Sequence, residues 1–328
     1  MRSLLSLLLL VALPLAAADE EFDELFLYVL LDEPRGPTWL LEGAVDIDEE
    51  GGIGTGASVT WLPGPQTFVS GSIGLSDSAA DLANFDASYA SLKVDHAFGV
   101  VGASLSAGWA TDGELVERFR YGGSLYLKLA GWRAELQAED WHGDFDPFEF
   151  RRLLERDGRE PVLLRGRADC ELDNTALGGR LAWGGSRWSF YGSYTDYDYS
   201  RADCRFSASI GDIDLRDPPQ VLIDIAPLIF RRLAIATASQ IINGDATFLD
   251  HSYAGGLAWR FQQRRLALDY YHSEEIFAGL TADTVIGSLL LPTGERSDLE
   301  LRVGLTDHED AGSVAFAGLS AIWYLGGD

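Results

Sequence analysis

The chain has 328 residues, and its 51 Asp and Glu against 25 Lys and Arg give a formal net charge of −26. That balance excludes nucleic acid as a partner, because phosphate backbones are held by patches of Lys and Arg. It fits exposed acidic loops, which keep a surface hydrated or gather divalent cations.

The first residues read as an export signal. Arg2 precedes an apolar core over residues 4–15, and Ala16, Ala17 and Ala18 supply a small-residue cleavage site. Residues 1–18 are therefore expected to leave the mature chain, which begins at Asp19. The residue directly after the cleavage site is Asp19 rather than cysteine, so no lipoprotein anchor is expected. Residues 19–36 form an N-terminal periplasmic or plug segment. Their stretch 24–31 is apolar on one side, and a short helix, an inner plug and an extra strand all remain open. No later run reaches the ~18 apolar residues of a membrane helix. The nearest, over 221–242, is interrupted by Asp224, Pro227, Arg231 and Arg232. Residues 37–328 form one unit without a linker.

That unit alternates apolar and polar residues in about fourteen segments, each near the ~9–11 residues of a membrane strand. In chain order they cover 38–48, 53–61, 67–75, 87–95, 100–109, 119–129 and 132–141. The series continues over 175–183, 188–199, 249–261, 265–272, 282–291, 298–307 and 313–325. Every second connection is very short or rich in Gly and Pro, as hairpin turns are: Pro63-Gly64-Pro65, Phe98-Gly99, Ala130-Gly131, Gly184-Gly185, Gln262-Gln263 and Thr293-Gly294. The other connections are longer or more acidic.

Two faces separate along the best strands. Trp132, Ala134, Leu136 and Ala138 alternate with Arg133, Glu135, Gln137 and Glu139; Leu299, Leu301, Val303 and Leu305 alternate with Asp298, Glu300, Arg302 and Thr306. Seven tryptophans (Trp39, Trp61, Trp132, Trp183, Trp188, Trp259 and Trp323) fall at the short-turn ends, whereas Trp109 and Trp141 fall at the other end. Indole favours a membrane interface, since its ring is apolar and its N–H needs a partner. The seven are read as an aromatic girdle.

With this pattern the chain resembles the Gram-negative outer-membrane β-barrel proteins over nearly all of its mature length. It departs from them at the end, where Trp323-Tyr324 is followed by Leu325-Gly326-Gly327-Asp328 rather than closing on an aromatic. The resemblance implies an all-β, antiparallel up-and-down transmembrane barrel of about 14 strands in the outer membrane. Short periplasmic turns and long extracellular loops go with it, as do contacts to outer-membrane lipid and lipopolysaccharide. The expected function is a porin-like channel for passive diffusion of small polar or charged solutes, with no cofactor and no enzymatic role. Alternatives are a transporter of apolar small molecules using the long loop 201–246, a structural barrel, and a rim-site hydrolase. Oligomeric state is not encoded in any stretch of the sequence.

Inward charges are the candidate functional residues. Lys128, Arg133, Arg180, Arg260 and Arg265 fall on the sixth to eleventh segments, near the periplasmic end. Glu42, Asp46, Asp298 and Glu300 fall on the first and thirteenth. Closure would set a basic sector across from an acidic one, with Lys93, Glu135, Asp269 and Arg302 as exceptions. A field of this kind orients and selects solutes. An exported chain with two cysteines predicts a Cys170–Cys204 disulfide, tying together the two longest loops. The loop over 201–246 is apolar at 221–223, 225–230 and 233–235, and is read as a constriction or a sheet extension. Acid–His pairs near the rim (Asp140/His142, Asp250/His251, His272/Glu274 and Asp307/His308/Glu309) match no catalytic or metal motif, and no metal ligand set is expected.

Overall fold

The computed structural model describes residues 38–49, 51–64, 66–80, 83–111, 116–156, 159–210, 213–215, 249–275, 281–308 and 312–326. The leader 1–18, the segment 19–36 and the apolar stretch 221–235 lie outside the described residues. The strands are β1 (Trp39–Asp48), β2 (Ile53–Gly64), β3 (Thr67–Ala80), β4 (Ala83–Phe98), β5 (Val101–Thr111), β6 (Val116–Leu129), β7 (Trp132–Arg156), β8 (Arg159–Gly184), β9 (Trp188–Ile210), β10 (Ile213–Leu215), β11 (Leu249–Phe261), β12 (Arg264–Glu275), β13 (Thr281–Gly294), β14 (Ser297–His308) and β15 (Gly312–Leu325).

All pairings are antiparallel between sequential neighbours, and β1 pairs with β15 to close the sheet. The short β10 pairs only with β9, which also pairs with β8 and β11. The result is a closed 14-strand barrel. Among the described residues no helix is long and apolar enough to cross a membrane; the strands make the crossing. Closure leaves no edge, so each backbone N–H and C=O in the lipid zone has a ladder partner.

Tight turns hold one rim. Ala130 (φ 51°) and Gly131 (φ 84°) both lie in the left-handed region between β6 and β7, the conformation that suits a two-residue hairpin. Gly99 (φ 76°) and Gln262 (φ 58°) do the same for β4–β5 and β11–β12.

Alternation sorts the side chains as the period-two pattern requires. On β6, Leu125, Leu127 and Leu129 face outward, while Ser124 and Tyr126 are buried on the lumen side. The wall on the lumen side is thick with aromatics lying flat over glycines. Tyr89 stands directly across from Gly74, Tyr126 from Gly102, Tyr191 from Gly256 and Phe316 from Gly304. A Cβ at any of these four glycines would come within 2.0 to 2.3 Å of the opposing ring. The missing side chain is what lets each ring lie down on the neighbouring strand.

Two expectations need correction. Residues 142–172, read as a long loop, are strand for most of their length: β7 runs to Arg156 and β8 starts at Arg159. Likewise β9 continues to Ile210, into the segment read as the loop 201–246. A ladder satisfies backbone groups in water as well as in lipid, so it continues past the belt where the apolar alternation stops. Cys170 and Cys204 therefore do not sit in separate loops. They are direct cross-strand partners in the ladder between β8 and β9. We propose that they are bonded. Alkylation of the native, unreduced barrel is expected to add no mass. Two alkylated thiols would refute the bond.

Candidate functional site

The best-defined cluster on the lumen wall lies on β4–β7. Arg133 donates from Nε and Nη2 to Glu135 Oε2 at 2.8 and 2.7 Å, and its Nη2 stands 3.5 Å from Asp95 Oδ2. The Tyr126 hydroxyl donates to Asp95 Oδ1. Ser124 donates to Glu135 Oε1, so Ser104, 2.8 Å from Ser124, is the donor to that hydroxyl. The guanidinium of Arg133 lies 3.8 Å from the Tyr126 ring centre, and Lys128 Nζ lies 5.2 Å from it. Asp95 is 1% exposed, Arg133 and Glu135 5% each. Two carboxylates and two cations thus meet around one ring, which lies on Gly102 because that position has no Cβ. Buried charges persist only when paired and hydrogen-bonded in this way.

Two further polar groups line the wall. Arg180 sits 5.0 Å from the Tyr191 ring centre, and Tyr191 donates to Asp269 at 3.1 Å. On the other side, Arg302 donates to Asp46 at 3.3 Å, Ser320 to Glu42 at 2.7 Å and Tyr324 to Asp298 at 2.7 Å. Each of these contacts joins strands at most three places apart around the barrel, as Asp95 on β4 and Arg133 on β7 are. The charges are thus compensated beside one another along the wall.

Like charges nonetheless adjoin at two places on the wall. Lys128 and Arg133 are direct partners on β6 and β7, and so are Arg260 and Arg265 on β11 and β12. Glu42, Asp298 and Glu300 lie on β1 and β14, half the strand order away from β7. Asp95 escaped the sequence reading. It falls at the end of its alternating segment, and only register shows that it faces Arg133 three strands away.

Apolar residues share the lumen wall. Tyr191, Ala182, Ala254, Tyr271 and Ile286 cluster on β8–β13, with Phe316 against them. A second cluster near the short-turn rim joins Leu40, Leu62, Phe68, Leu290 and Ile322, with Tyr324.

Outside, the seven girdle tryptophans gather at the short-turn rim. Trp39 stacks on Trp61 at 5.8 Å and Trp188 on Trp259 at 5.8 Å; Trp132 meets Trp183 at 6.5 Å, and Trp323 pairs opposite Leu41. Trp109, Tyr121, Tyr194, Tyr253 and Tyr270 mark the opposite rim, exposed on the outer wall. Between the two rings lie exposed Leu, Val and Ile, including Leu105, Leu136, Leu177, Leu268 and Val303. An apolar band between two aromatic rings matches a bilayer and its interfaces. This is a transmembrane β-barrel.

The histidines of three rim acid–His pairs, His142, His251 and His272, are on the outer wall of this barrel. The expected Asp250/His251 pair forms, whereas the histidines of two others take different partners. His142 contacts Asp173 rather than Asp140, whose carboxylate accepts from Tyr121 at 2.7 Å. His272 contacts Asp283 at 2.8 Å, and His251 lies 3.1 Å from Asp250 and 3.7 Å from Glu274. Cross-strand register, invisible in the sequence, decides these partners. No group of three or more metal-binding side chains is present among the described residues.

No protein-family model matches the chain, and no curated protein matches it. Solved structures do. The CymD monoaromatic hydrocarbon channel is similar with a TM-score of 0.53 and 11% identity, covering 91% of each chain. The P. putida toluene transporter TodX gives 0.48 and 12%, covering 92% of this barrel and 93% of its own length. The KdgM porin in complex with disordered oligogalacturonate gives 0.38 and 8%, covering 87% and 98%. At such identities the likeness is one of fold.

Proposed function

We propose that the barrel is a passive outer-membrane channel for small polar or charged solutes. The observation that carries this reading is the anchoring of lumen charges to wall neighbours: Arg133 to Asp95, Arg180 to Tyr191 and Arg302 to Asp46 each meet along the wall, between strands at most three places apart. Fixed charges beside a path bias what diffuses along it without blocking it. The basic pair Lys128–Arg133, set half the strand order away from Glu42, Asp298 and Glu300, supplies a transverse field near the periplasmic end.

Planar-bilayer conductance of the refolded barrel tests it. Ohmic steps are expected, and Arg260→Glu is expected to move the reversal potential in a salt gradient toward cation preference. An unmoved potential in a conducting pore would remove the field from the mechanism; silence from folded barrel would remove the channel.

A second reading has its own observation. The two apolar clusters line β8–β13 with β15 and, lower down, β13–β3, a surface suited to apolar small molecules. CymD, a monoaromatic hydrocarbon channel, shares the fold. Uptake of a labelled monoaromatic hydrocarbon into liposomes carrying the barrel would favour this reading if it exceeded the rate for a sugar of equal size. The outer acidic rim, with the bilayer-facing band, makes lipid and lipopolysaccharide the natural surroundings.

A further inference from the structure

We infer that the outer wall of the barrel carries a docking site for a glycolipid with an uncharged sugar head. It lies on β9, β11, β12 and β13, where the bilayer-facing apolar band meets the extracellular rim. Being outside the barrel, it is independent of what passes along the lumen.

Register lays the site out as a grid. Tyr194, Tyr253, His272 and Asp283 are successive partners in one row across the four strands. The next row toward the loops holds Asp196, His251 and Glu274; the next toward the bilayer holds Gly192, Gly255 and Tyr270. These positions alternate in step with the exposed Phe190, Leu257, Leu268 and Val285, so they share the outer face. The rings hold one another. Tyr253 stacks on His272 at 4.4 Å and Tyr194 on His251 at 5.9 Å, while His251 lies 6.0 Å from His272 and Tyr253 6.1 Å from Tyr270. The Tyr270 hydroxyl donates to Asp283, and His272 Nδ1 stands 2.8 Å from the same oxygen. Five rings thus form one fixed ledge. Beneath it is a notch, since Gly192 and Gly255 are direct partners. Among the described residues a Cβ at Gly255 would meet no side chain within 4 Å; its nearest contact is the Tyr191 carbonyl oxygen at 3.5 Å. The four lumen-side glycines named above are covered by rings, whereas this one is open. Phe190 and Leu257, partners in the row below, carry the notch into the apolar band.

The occupant follows from where the notch lies. Inside a bilayer the hydrophobic effect does not separate one lipid from another, so close packing and hydrogen bonds decide which one stays. A strand glycine lets an outside chain come right up to the backbone, and an acyl chain fits the notch. The ring ledge then ends the apolar path at the height where a head group begins. That head meets Asp250, Glu274 and Asp283, whose side chains are partly exposed. A carboxylate has about four lone-pair positions, and sugar hydroxyls are donors to them. The histidines and tyrosines that already contact these carboxylates hold them in place. A phosphate head is disfavoured, because the three rows carry carboxylates and no Lys or Arg.

Native mass spectrometry of the refolded full chain tests the site. The barrel is released from phosphatidylcholine vesicles that hold equal minor amounts of a monogalactosyl diacylglycerol, the parent diacylglycerol and the phosphatidate with the same chains. One galactolipid is expected to stay bound, severalfold more often than either other probe. Gly255→Leu fills the notch with a side chain suited to the lipid face, and a severalfold loss of galactolipid is expected. Gly71→Leu, on the outer face of β3, is the matched control and should leave retention unchanged, since a Cβ there meets only ordinary contact at 3.6 Å. The double variant Tyr253→Ala/His272→Ala dismantles the ledge and should lower retention at least tenfold; should it fail to fold, Gly255→Leu decides alone. Retention unchanged by Gly255→Leu, or lowered as much by Gly71→Leu, overturns the proposal. So does phosphatidate or diacylglycerol retained as often as the galactolipid, or a second copy of the barrel held in place of lipid and lost with Gly255→Leu.

Discussion

Arg133→Ala is expected to lower the folding stability of the barrel by about 3–5 kcal/mol. The substitution strands Asp95 and Glu135, both nearly inaccessible to water, without the guanidinium that contacts each of them. A carboxylate left unpaired in that place loses its hydration without compensation. It also takes the cation off the Tyr126 ring, where Arg133 sits at 3.8 Å. Arg133→Lys retains a charge but not two directed N–H bonds, and should lose about 1.5–3 kcal/mol. Adding Asp95→Asn and Glu135→Gln to Arg133→Ala should recover part of the loss, since the stranded charges are then gone. Denaturant unfolding of the barrel in lipid vesicles gives these numbers from midpoint and slope. A loss below about 1 kcal/mol for Arg133→Ala would show that Lys128 replaces it, and that the pairing is not what holds this wall together.

Gly102→Ala should be nearly as damaging, although it adds a single methyl group. That methyl would stand 2.1 Å from the Tyr126 ring, so the ring must lift from β5 and release Asp95. Overpacking of this kind loses about 1–3 kcal/mol, and the broken hydrogen bond to a carboxylate about 1.5–3 more. Gly43→Ala on β1 is the matched control, because a Cβ at Gly43 meets nothing within 4 Å. It should be neutral or slightly stabilising, as alanine loses less backbone freedom than glycine on folding. Equal effects at Gly43 and Gly102 would mean that chain entropy, not the ring above, governs these positions. If Gly102→Ala is as expected, a pore whose wall charges have been released should also lose its reversal-potential preference.

Much of this architecture was legible without coordinates. Leu125, Leu127 and Leu129 alternate with Ser124, Tyr126 and Lys128, and a two-residue period maps directly onto two faces of a strand. Ala130-Gly131 announced its hairpin because few sequences tolerate two successive left-handed residues. The girdle tryptophans were readable because each lies at a strand end, and strand ends follow from turns. Asp95 was not readable, because its partner Arg133 is remote in sequence and meets it through register across intervening strands. The extent of β7, β8 and β9 was hidden for another reason. Their outer parts carry charge rather than lipid-facing alternation, and only the neighbouring backbone shows that they pair. His272 found Asp283 rather than Glu274 for the same cause, since side chains two apart on a strand share a face but the nearer carboxylate is across the ladder.

The amino-acid sequence by itself determined the number of strands, the direction of each face and the rim on which the tryptophans lie. These depend on local periodicity and turn chemistry, which are properties of neighbouring residues. Tertiary structure alone decided which charges meet on the lumen wall and which rings lie over which glycines. Those depend on register and closure, which set contacts between residues tens of positions apart and leave no trace in the local pattern.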